Sequence, residues 1–281
     1  MTTRSRRRAL MALGGCLLGS LGGQASAADD VLTVGVVPQY SPREILQSWG
    51  PVLDEISRRS GVTWKLLGNK DIPSFELALE AGEFDFAYAN PYQGLRANRK
   101  QGYVPMVRDQ TPLAGILVVR KDSRWQKVAD LAGQAIAFPA PNSLGASLLM
   151  RAELDAVHQL TFSAQYSASH SSAYLSTLRG LTAATGGVES TFQLLSAADK
   201  ASLRVLYRTR ETPSHPFMAH PRVPDVVRRR IEQAWLELAA DPAWDEALAR
   251  IPFDHLVKTR LEDYKVLDRM DLGRYYVAPS P

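Results

Sequence analysis

The sequence predicts an α/β fold of two lobes joined by two crossover segments that act as a hinge. Short β-branched runs alternate with stretches of helical periodicity over the first hundred residues. A similar alternation starts again after residue 130. Between these two stretches lies an apolar strand that can carry the chain from one lobe to the other. We therefore expect mixed, mostly parallel sheets with helices on both faces and a ligand cleft between the lobes.

The first lobe is predicted from three apolar runs and the helical segments between them. The run at residues 31–37 is uninterrupted, which is typical of a strand buried on both faces. Residues 43–59 have apolar positions three and four apart, and Gly50-Pro51 is expected to kink or divide this helix. The other elements predicted in this lobe are strands at 62–67 and 84–89 and helices at 75–80 and 90–100.

The second lobe repeats the pattern and is entered and left by single segments. Strands are predicted at 113–119, 134–138, 160–166 and 203–207, with helices at 143–154, 170–179 and 188–195. A return strand at 217–219 and helices at 223–240 and 244–250 follow, and the last thirty residues are expected to pack on the first lobe. This predicts lobe 1 at residues 28–116 plus 214–281 and lobe 2 at 117–213.

The N-terminus has the pattern of a secretory signal. A basic start is followed by a short apolar stretch and by Ala25-Ser26-Ala27, so we expect residues 1–27 to be removed and the mature protein to lie in the periplasm. The apolar stretch is too short for a permanent membrane span. Ser5-Arg6-Arg7 leaves export by the twin-arginine route open beside the general route. Leu13-Gly14-Gly15-Cys16 leaves open a lipoprotein anchored through Cys16.

Charge and motif content narrow the class of function. Arg4, Arg6, Arg7 and Arg8 account for the whole excess of 33 basic over 29 acidic residues. The mature chain is therefore near neutral, which argues against nucleic-acid binding. The five histidines have no paired spacing for zinc, and no nucleophile elbow, P-loop or dinucleotide-binding glycine motif is present. We predict no enzyme activity, no catalytic residue, no metal and no cofactor.

Candidate ligand contacts in the first lobe follow its strands. Gln39 and Tyr40 come after the first strand, and Tyr88, Asn90 and Tyr92 come at the end of the third. In open α/β sheets, ligands bind at the loops that leave the carboxyl ends of the strands. We take Tyr40, Asn90 and Tyr92 as candidates, whereas Tyr88 is as well explained by packing in the core.

Five segments, taken in order, resemble one known family. They are LTVGVVPQYSPREI, GEFDFAYANPY, DLAGQAIAFPAPNSLGASLL, SASHSSAYLSTLRG and PSHPFMAHPRVP. Together they resemble the PhnD-like phosphate-, phosphite- and phosphonate-binding periplasmic proteins of ABC transporters, which are type 2 solute-binding proteins. The resemblance implies the two-lobed type 2 periplasmic-binding fold and a small oxyanion as ligand.

The resemblance also implies where the oxyanion binds. The Pro-Asn-Ser turn of the family lies at a helix start, where free N–H groups and the helix dipole attract an anion. Here it contains Asn142 and Ser143, with Leu144 in place of a family threonine. His170 and Ser171 match a second helix start of the family. We expect Ser143, a protonated His170 and Ser171 to converge on one anion.

Two further sequence features bear on which ligands can bind. Residues 181–187 lack the acid that recognises an amino group in some relatives, so binding of aminoalkyl phosphonates is in doubt. His215 can face the ligand at the second crossover or can only fix the hinge turn. A monomer is expected, with an ABC permease as partner for delivery, or the periplasmic domain of a sensor kinase for sensing.

Overall fold

The chain forms two mixed β-sheets with helices around each, in a computed structural model that describes residues 31–279. The predicted signal segment and Cys16 lie outside the described residues. The strands are β1 (Leu32–Val36), β2 (Trp64–Leu67), β3 (Phe86–Tyr88), β4 (Val104–Asp109), β5 (Gly115–Arg120), β6 (Ala135–Phe138), β7 (Ser163–Tyr166), β8 (Ala184–Val188), β9 (Leu203–Arg208), β10 (Pro216–Ala219) and β11 (Leu256–Lys258).

The helices cover the two sheets and close the ends of the strands. The α-helices are α1 (Pro42–Ser60), α2 (Ile72–Glu80), α3 (Pro91–Gln101), α4 (Met150–Ala156), α5 (His170–Leu178), α6 (Glu189–Gln193), α7 (Ala197–Ala201), α8 (Asp225–Ala239), α9 (Asp245–Arg250) and α10 (Leu261–Tyr264). A π-helical turn, Leu144–Leu149, leads into α4, and 3-10 turns lie at Val128–Leu131, Pro242–Trp244, Lys265–Met270 and Leu272–Arg274. Among residues 31–279, no helix combines the length and the apolar composition that crossing a bilayer requires.

Each sheet has a parallel part to which antiparallel strands are added. The first lobe holds the order β11-β4-β10-β3-β1-β2, in which β1 pairs in parallel with β2 and β3. The second lobe holds the order β7-β6-β8-β5-β9, in which β6 pairs in parallel with β7 and β8. The strands that border the crossovers are β4, β5, β9 and β10, and all four pair antiparallel with their neighbours. The fold is the predicted two-lobed α/β arrangement, and both sheets are mixed.

The crossovers are two short segments, residues 110–114 and 209–215, which pair with each other through an antiparallel bridge between Leu113 and Thr212. The predicted lobe boundary between residues 116 and 117 falls inside β5. The boundary between 213 and 214 falls in the loop between β9 and β10. We propose the bridged pair of segments as the hinge, because no sheet hydrogen bond joins the two lobes elsewhere in residues 31–279.

Aromatic packing makes up much of the first core. Trp49 of α1 lies 4.8 Å from Tyr88 and 5.9 Å from Phe253, measured between ring centroids. Trp235 of α8 is fully buried and packs 5.1 Å from Phe217. Offset and edge-to-face pairs of this kind stabilise a core beyond their buried area. They fix α1 and α8 on one face of the sheet that carries β1 and β3.

Three sequence predictions are corrected by the structure. Helix α1 is not divided at Gly50-Pro51, since Pro51 and Gln47 are both exposed and water can satisfy the carbonyl group left without a donor. Residues 184–188 form a central strand, β8, where no strand was predicted and where a helix was expected to begin at Val188. The C-terminal segment contacts both lobes rather than the first alone, because its buried side chains pack in a cluster that also contains Leu144 and Leu148 of the second lobe.

Candidate functional site

A small cavity lies between the two sheets, at the carboxyl ends of their strands. Its volume is about 10 Å³, which is room for about one water molecule. Residues that follow β1, β3, β6 and β7 contribute to its wall, as expected for an open α/β sheet. The lining residues are Val37, Gln39, Ile72, Asn90, Ser143, Leu144, Gly145, Ala146, His170, Val188 and His215.

Three helices begin at this cavity. Asn90 caps α3, Ser143 occupies the cap position of the π-helical turn, and His170 is the first residue of α5. The first N–H groups of a helix have no acceptor within the helix, and they carry the positive end of its dipole. Backbone atoms of Leu144, Gly145 and Ala146 belong to such a first turn. The wall of the cavity therefore suits an anion without needing a charged side chain.

Ser143 presents an unused hydroxyl group to this cavity. The side chain is 7% exposed, and its Oγ atom has no hydrogen-bond partner among the described residues. The Ser143 carbonyl group accepts hydrogen bonds from the N–H groups of Ser147 and Leu148, at 2.8 and 3.0 Å, which produces the wide π turn. A buried hydroxyl without a partner is costly. A ligand oxygen at this point would supply the missing partner.

Two buried histidines line the cavity. His170 is 4% exposed and its Nδ1 atom lies 3.2 Å from the Thr191 hydroxyl. His215 is 8% exposed and stacks on Tyr88, with ring centroids 5.3 Å apart. Burial lowers the pKa of His170 to about 4. Burial, together with the charge of His170, lowers the pKa of His215 to about 3.

These pKa values describe the protein without an anion, so the protonated His170 expected in the bound state stays a prediction. At neutral pH both imidazoles are uncharged, so each offers one N–H donor and one acceptor nitrogen. No lysine or arginine is among the residues that line the cavity. A positively charged side chain on the wall would therefore have to be a histidine that takes up a proton when an anion binds.

The two predicted asparagines hold the structure together rather than offering free amides. The Oδ1 atom of Asn90 accepts from the N–H groups of Tyr92 and Gln93, and its Nδ2 atom donates to the carbonyl of Asn142 at 3.1 Å. The amide of Asn142 is bonded to Glu76 and to the backbone of Val277. Asn90 thus contributes to the cavity wall, whereas the side chain of Asn142 does not.

The remaining three predicted residues do not line the cavity. Ser171 is exposed, because one step along α5 from His170 turns its side chain toward solvent. Tyr92 is buried against Tyr276 of the C-terminal segment, with ring centroids 6.0 Å apart. Tyr40 packs against the first core, and burial raises the pKa of its hydroxyl, which lies beside Ser190.

A larger cavity of about 280 Å³ adjoins the small one on the hinge side. The two share Gln39, Val188 and His215. The larger cavity is also lined by Tyr88, Asp109, Thr111, Pro112, Leu113, Ala114, Glu189, Ser190, Ser214, Pro252 and Asp254. A ligand anchored at Ser143 therefore has room to extend toward the hinge.

Eight of the eleven lining residues had not been predicted as ligand contacts, and three of the eight, Leu144, Gly145 and Ala146, belong to the predicted turn. Gln39 and His215 were visible as polar residues beside a strand end and a crossover. Ile72 and Val188 gave no signal, because an apolar side chain in a wall has the same pattern as one in a core. No group of histidines, cysteines or acids suited to a metal ion occurs within residues 31–279.

Gly186 allows the π-helical turn Leu144–Leu149 to lie directly on β8. A Cβ atom at this position would stand 2.0 Å from the carbonyl oxygen of Ala146, which is backbone and cannot rotate away. We predict that Gly186→Ala lowers the free energy of unfolding by about 1–3 kcal/mol and displaces the turn. Gly68→Ala is the control, since no atom lies within 4 Å of its added Cβ. Equal stability of the two variants in urea denaturation would show that the close approach does not exist.

The fold and the site together define a two-lobed solute-binding protein. The family described as the periplasmic substrate-binding protein of the phosphonate ABC transporter matches residues 34–264. The chain belongs to this family. Among curated proteins, no sequence matches it.

Solved structures show the same fold at low sequence identity. A binding protein component of an ABC phosphonate transporter from Pseudomonas aeruginosa has 14% identity and a TM-score of 0.77, over 89% of each chain. PhnD1 from Prochlorococcus marinus, in complex with methylphosphonate, has 14% identity and a TM-score of 0.78, over 88% of this chain and 99% of that one. XAC2383 from Xanthomonas citri, bound to ATP, has 17% identity and a TM-score of 0.72, over 87% and 98%.

Proposed function

We propose that this protein binds a small phosphorus oxyanion, such as phosphate, phosphite or a phosphonate, and delivers it to an ABC permease in the periplasm. The observation that carries the proposal is the unpartnered Ser143 hydroxyl at a helix start beside His170 and His215. A tetrahedral oxyanion has several acceptor oxygens, which match a hydroxyl, two imidazoles and the free N–H groups of the turn. The family supports this class of ligand, and the methylphosphonate complex of PhnD1 supports the choice of probe.

Binding requires the lobes to separate. The cavity of about 10 Å³ is far smaller than a phosphonate group, so the wall must move apart to admit one. The bridged crossovers at Leu113 and Thr212 are the proposed hinge for this motion. Closure then buries the ligand between the helix starts of both lobes, and the closed form is the one a permease would recognise.

The chemistry of the second-lobe wall sets an expectation for selectivity. Leu144 provides a backbone N–H but no side-chain donor, and Val188 is apolar, as is Ile72 on the opposite wall in the first lobe. The wall therefore favours an anion that needs few side-chain donors. A Leu144→Thr substitution would add one hydroxyl donor to this wall, at the first residue of the π-helical turn.

Removal of the Ser143 hydroxyl is the direct test of the site. We expect Ser143→Ala to weaken binding of the best ligand among phosphate, phosphite and methylphosphonate by about 10-fold to 100-fold, the range for one hydrogen bond to a charged group. Isothermal calorimetry measures this, after a thermal-shift screen that also includes ATP.

Ser171→Ala is the matched control for this test. It removes the same group from an exposed position next to His170 and should leave the dissociation constant unchanged. Equal weakening in both variants, or in neither, would contradict the proposed site. Absence of binding by all four probes would contradict the proposed ligand class.

A further inference from the structure

Asn142 lies where three parts of the chain meet. It precedes Ser143 in the second lobe, and its Nδ2 atom donates to the Glu76 carboxyl group of α2 at 2.9 Å. The same amide forms a two-way pair with the backbone of Val277, at 2.7 Å to the carbonyl oxygen and 3.0 Å from the N–H group. The carbonyl group of Asn142 accepts from Asn90 of the first lobe. One buried residue thus ties the anion-binding turn to the first lobe and to the C-terminus.

The C-terminal segment that Asn142 holds, residues 264–277, is here named the strap. Its apolar side chains Tyr264, Leu267 and Leu272 are each 1% exposed. They pack in one cluster with residues from both lobes, namely Tyr92 and Leu95 of α3 and Leu144, Leu148, Leu149 and Ala152 of the second lobe. Separation of the lobes would expose part of this cluster to water, which opposes opening.

Polar contacts fix the end of the strap to both lobes. On the second lobe, Arg151 donates to the carbonyl of Tyr275 at 2.7 Å, and the Tyr275 hydroxyl donates to Asp155 at 2.6 Å. On the first lobe, the guanidinium of Arg96 lies 3.8 Å from the ring centroid of Tyr276. The strap is therefore a third connection between the lobes, and its first residue, Tyr264, also donates to the carbonyl of Ser214 in the second crossover at 3.3 Å.

We propose that Asn142 is a positioning residue that latches the lobes closed through the strap, and not a contact to the ligand. Its side-chain amide is hydrogen-bonded to Glu76 and Val277, and it does not line the cavity. When the lobes separate, the bonds to Glu76 and Asn90 must break together. The latch thus opposes both the opening of the site and the release of a bound ligand, and in this last effect the inference rests on the proposed function.

The test measures the separation of the lobes directly. Paired spin labels at the exposed positions Arg229 and Lys121, in a chain with Cys16 replaced by serine, report the distance between the lobes without added ligand. Asn142→Leu removes all three side-chain bonds at similar volume. A chain that ends after Arg274 removes the end of the strap. A chain that ends after Ala278 keeps Val277 and its bonds and is the matched control.

We expect Asn142→Leu and the chain ending after Arg274 to show a broader distribution of distances between the labels, shifted to longer values. The chain ending after Ala278 should match wild type. Methylphosphonate should dissociate at least about tenfold faster from the two latch variants, the scale of one or two net hydrogen bonds. Folding of each variant is checked by circular dichroism, and the truncated chain decides the matter if Asn142→Leu does not fold.

Unchanged distances in a folded latch variant would overturn the inference. Because the distances are measured without ligand, they judge the latch even if no phosphorus oxyanion binds. Failure of methylphosphonate to bind the wild type would count against the proposed function alone.

Discussion

Replacement of Glu76 by glutamine is expected to raise the free energy of unfolding at pH 8 by up to about 3 kcal/mol. The carboxyl group is 3% exposed, and burial raises its pKa from 4.5 to about 7, against the weaker opposing effects of the hydrogen bond from Asn142 and of the nearby Gln93 amide. Above this pKa the native protein must hold a charge at a buried position. Glutamine keeps an acceptor for Asn142 and carries no charge.

The sign of the pH dependence follows from the raised pKa. Between pH 4.5 and about 7, the native state binds more protons at Glu76 than the unfolded state does. The contribution of Glu76 to stability is therefore fully present below pH 4.5 and is lost as pH rises through about 7. Nearby Glu80 adds to this shift and Arg96 reduces it.

Urea denaturation at pH 4 and pH 8 checks this prediction. The gain from Glu76→Gln should be largest at pH 8 and should nearly vanish at pH 4. Glu83→Gln makes the same chemical change at an exposed position and should have little effect at either pH. A Glu76→Gln variant with wild-type stability at pH 8 would show that the carboxyl group is solvated.

Oxyanion affinity is expected to fall as pH rises, by up to tenfold per pH unit for each imidazole that takes up a proton on binding. Free of an anion, His170 and His215 have pKa values lowered by burial to about 4 and about 3. A bound anion favours the charged imidazole and raises these values. At a pH between the pKa of an imidazole in the free protein and its pKa in the complex, binding of the anion takes up a proton. A higher pH therefore weakens binding in this range.

Calorimetry from pH 5 to pH 8 separates this effect from titration of the ligand. His170→Gln and His215→Gln keep a hydrogen-bond donor but cannot take up a proton in this range. The ligand titrates equally in all three proteins, so the difference in slope belongs to the histidines. Equal slopes in wild type and both variants would mean that neither imidazole becomes charged when the anion binds.

The architecture was predictable because its signals are local. Buried strands such as β1 and helix starts such as those at Asn90 and His170 follow from runs of side chains and caps a few residues long. The strands that were missed lack such signals. β8 carries Gly186-Gly187, β4 contains Pro105, and β11 has three residues.

For the site, the sequence predicted which loops and helix starts meet, but not which of their side chains face the cavity. The helix starts that carry Ser143 and His170 do meet at one cavity. Which side chain of a helix start faces inward depends on the rotation of the helix about its axis, and this excluded Ser171. The roles of Asn142 and Tyr92 depend on a C-terminal segment more than a hundred residues away, which no local pattern reports.

The central claim is that one oxyanion binds at the helix starts of Ser143 and His170. A crystal structure of the protein with the tightest-binding anion among phosphate, phosphite and methylphosphonate tests it most directly. We predict ligand oxygens within about 2.7–3.2 Å of the Ser143 hydroxyl, of N–H groups in the following turn, and of an imidazole nitrogen of His170 or His215. An anion bound elsewhere, with Ser143 still unpartnered, would contradict it.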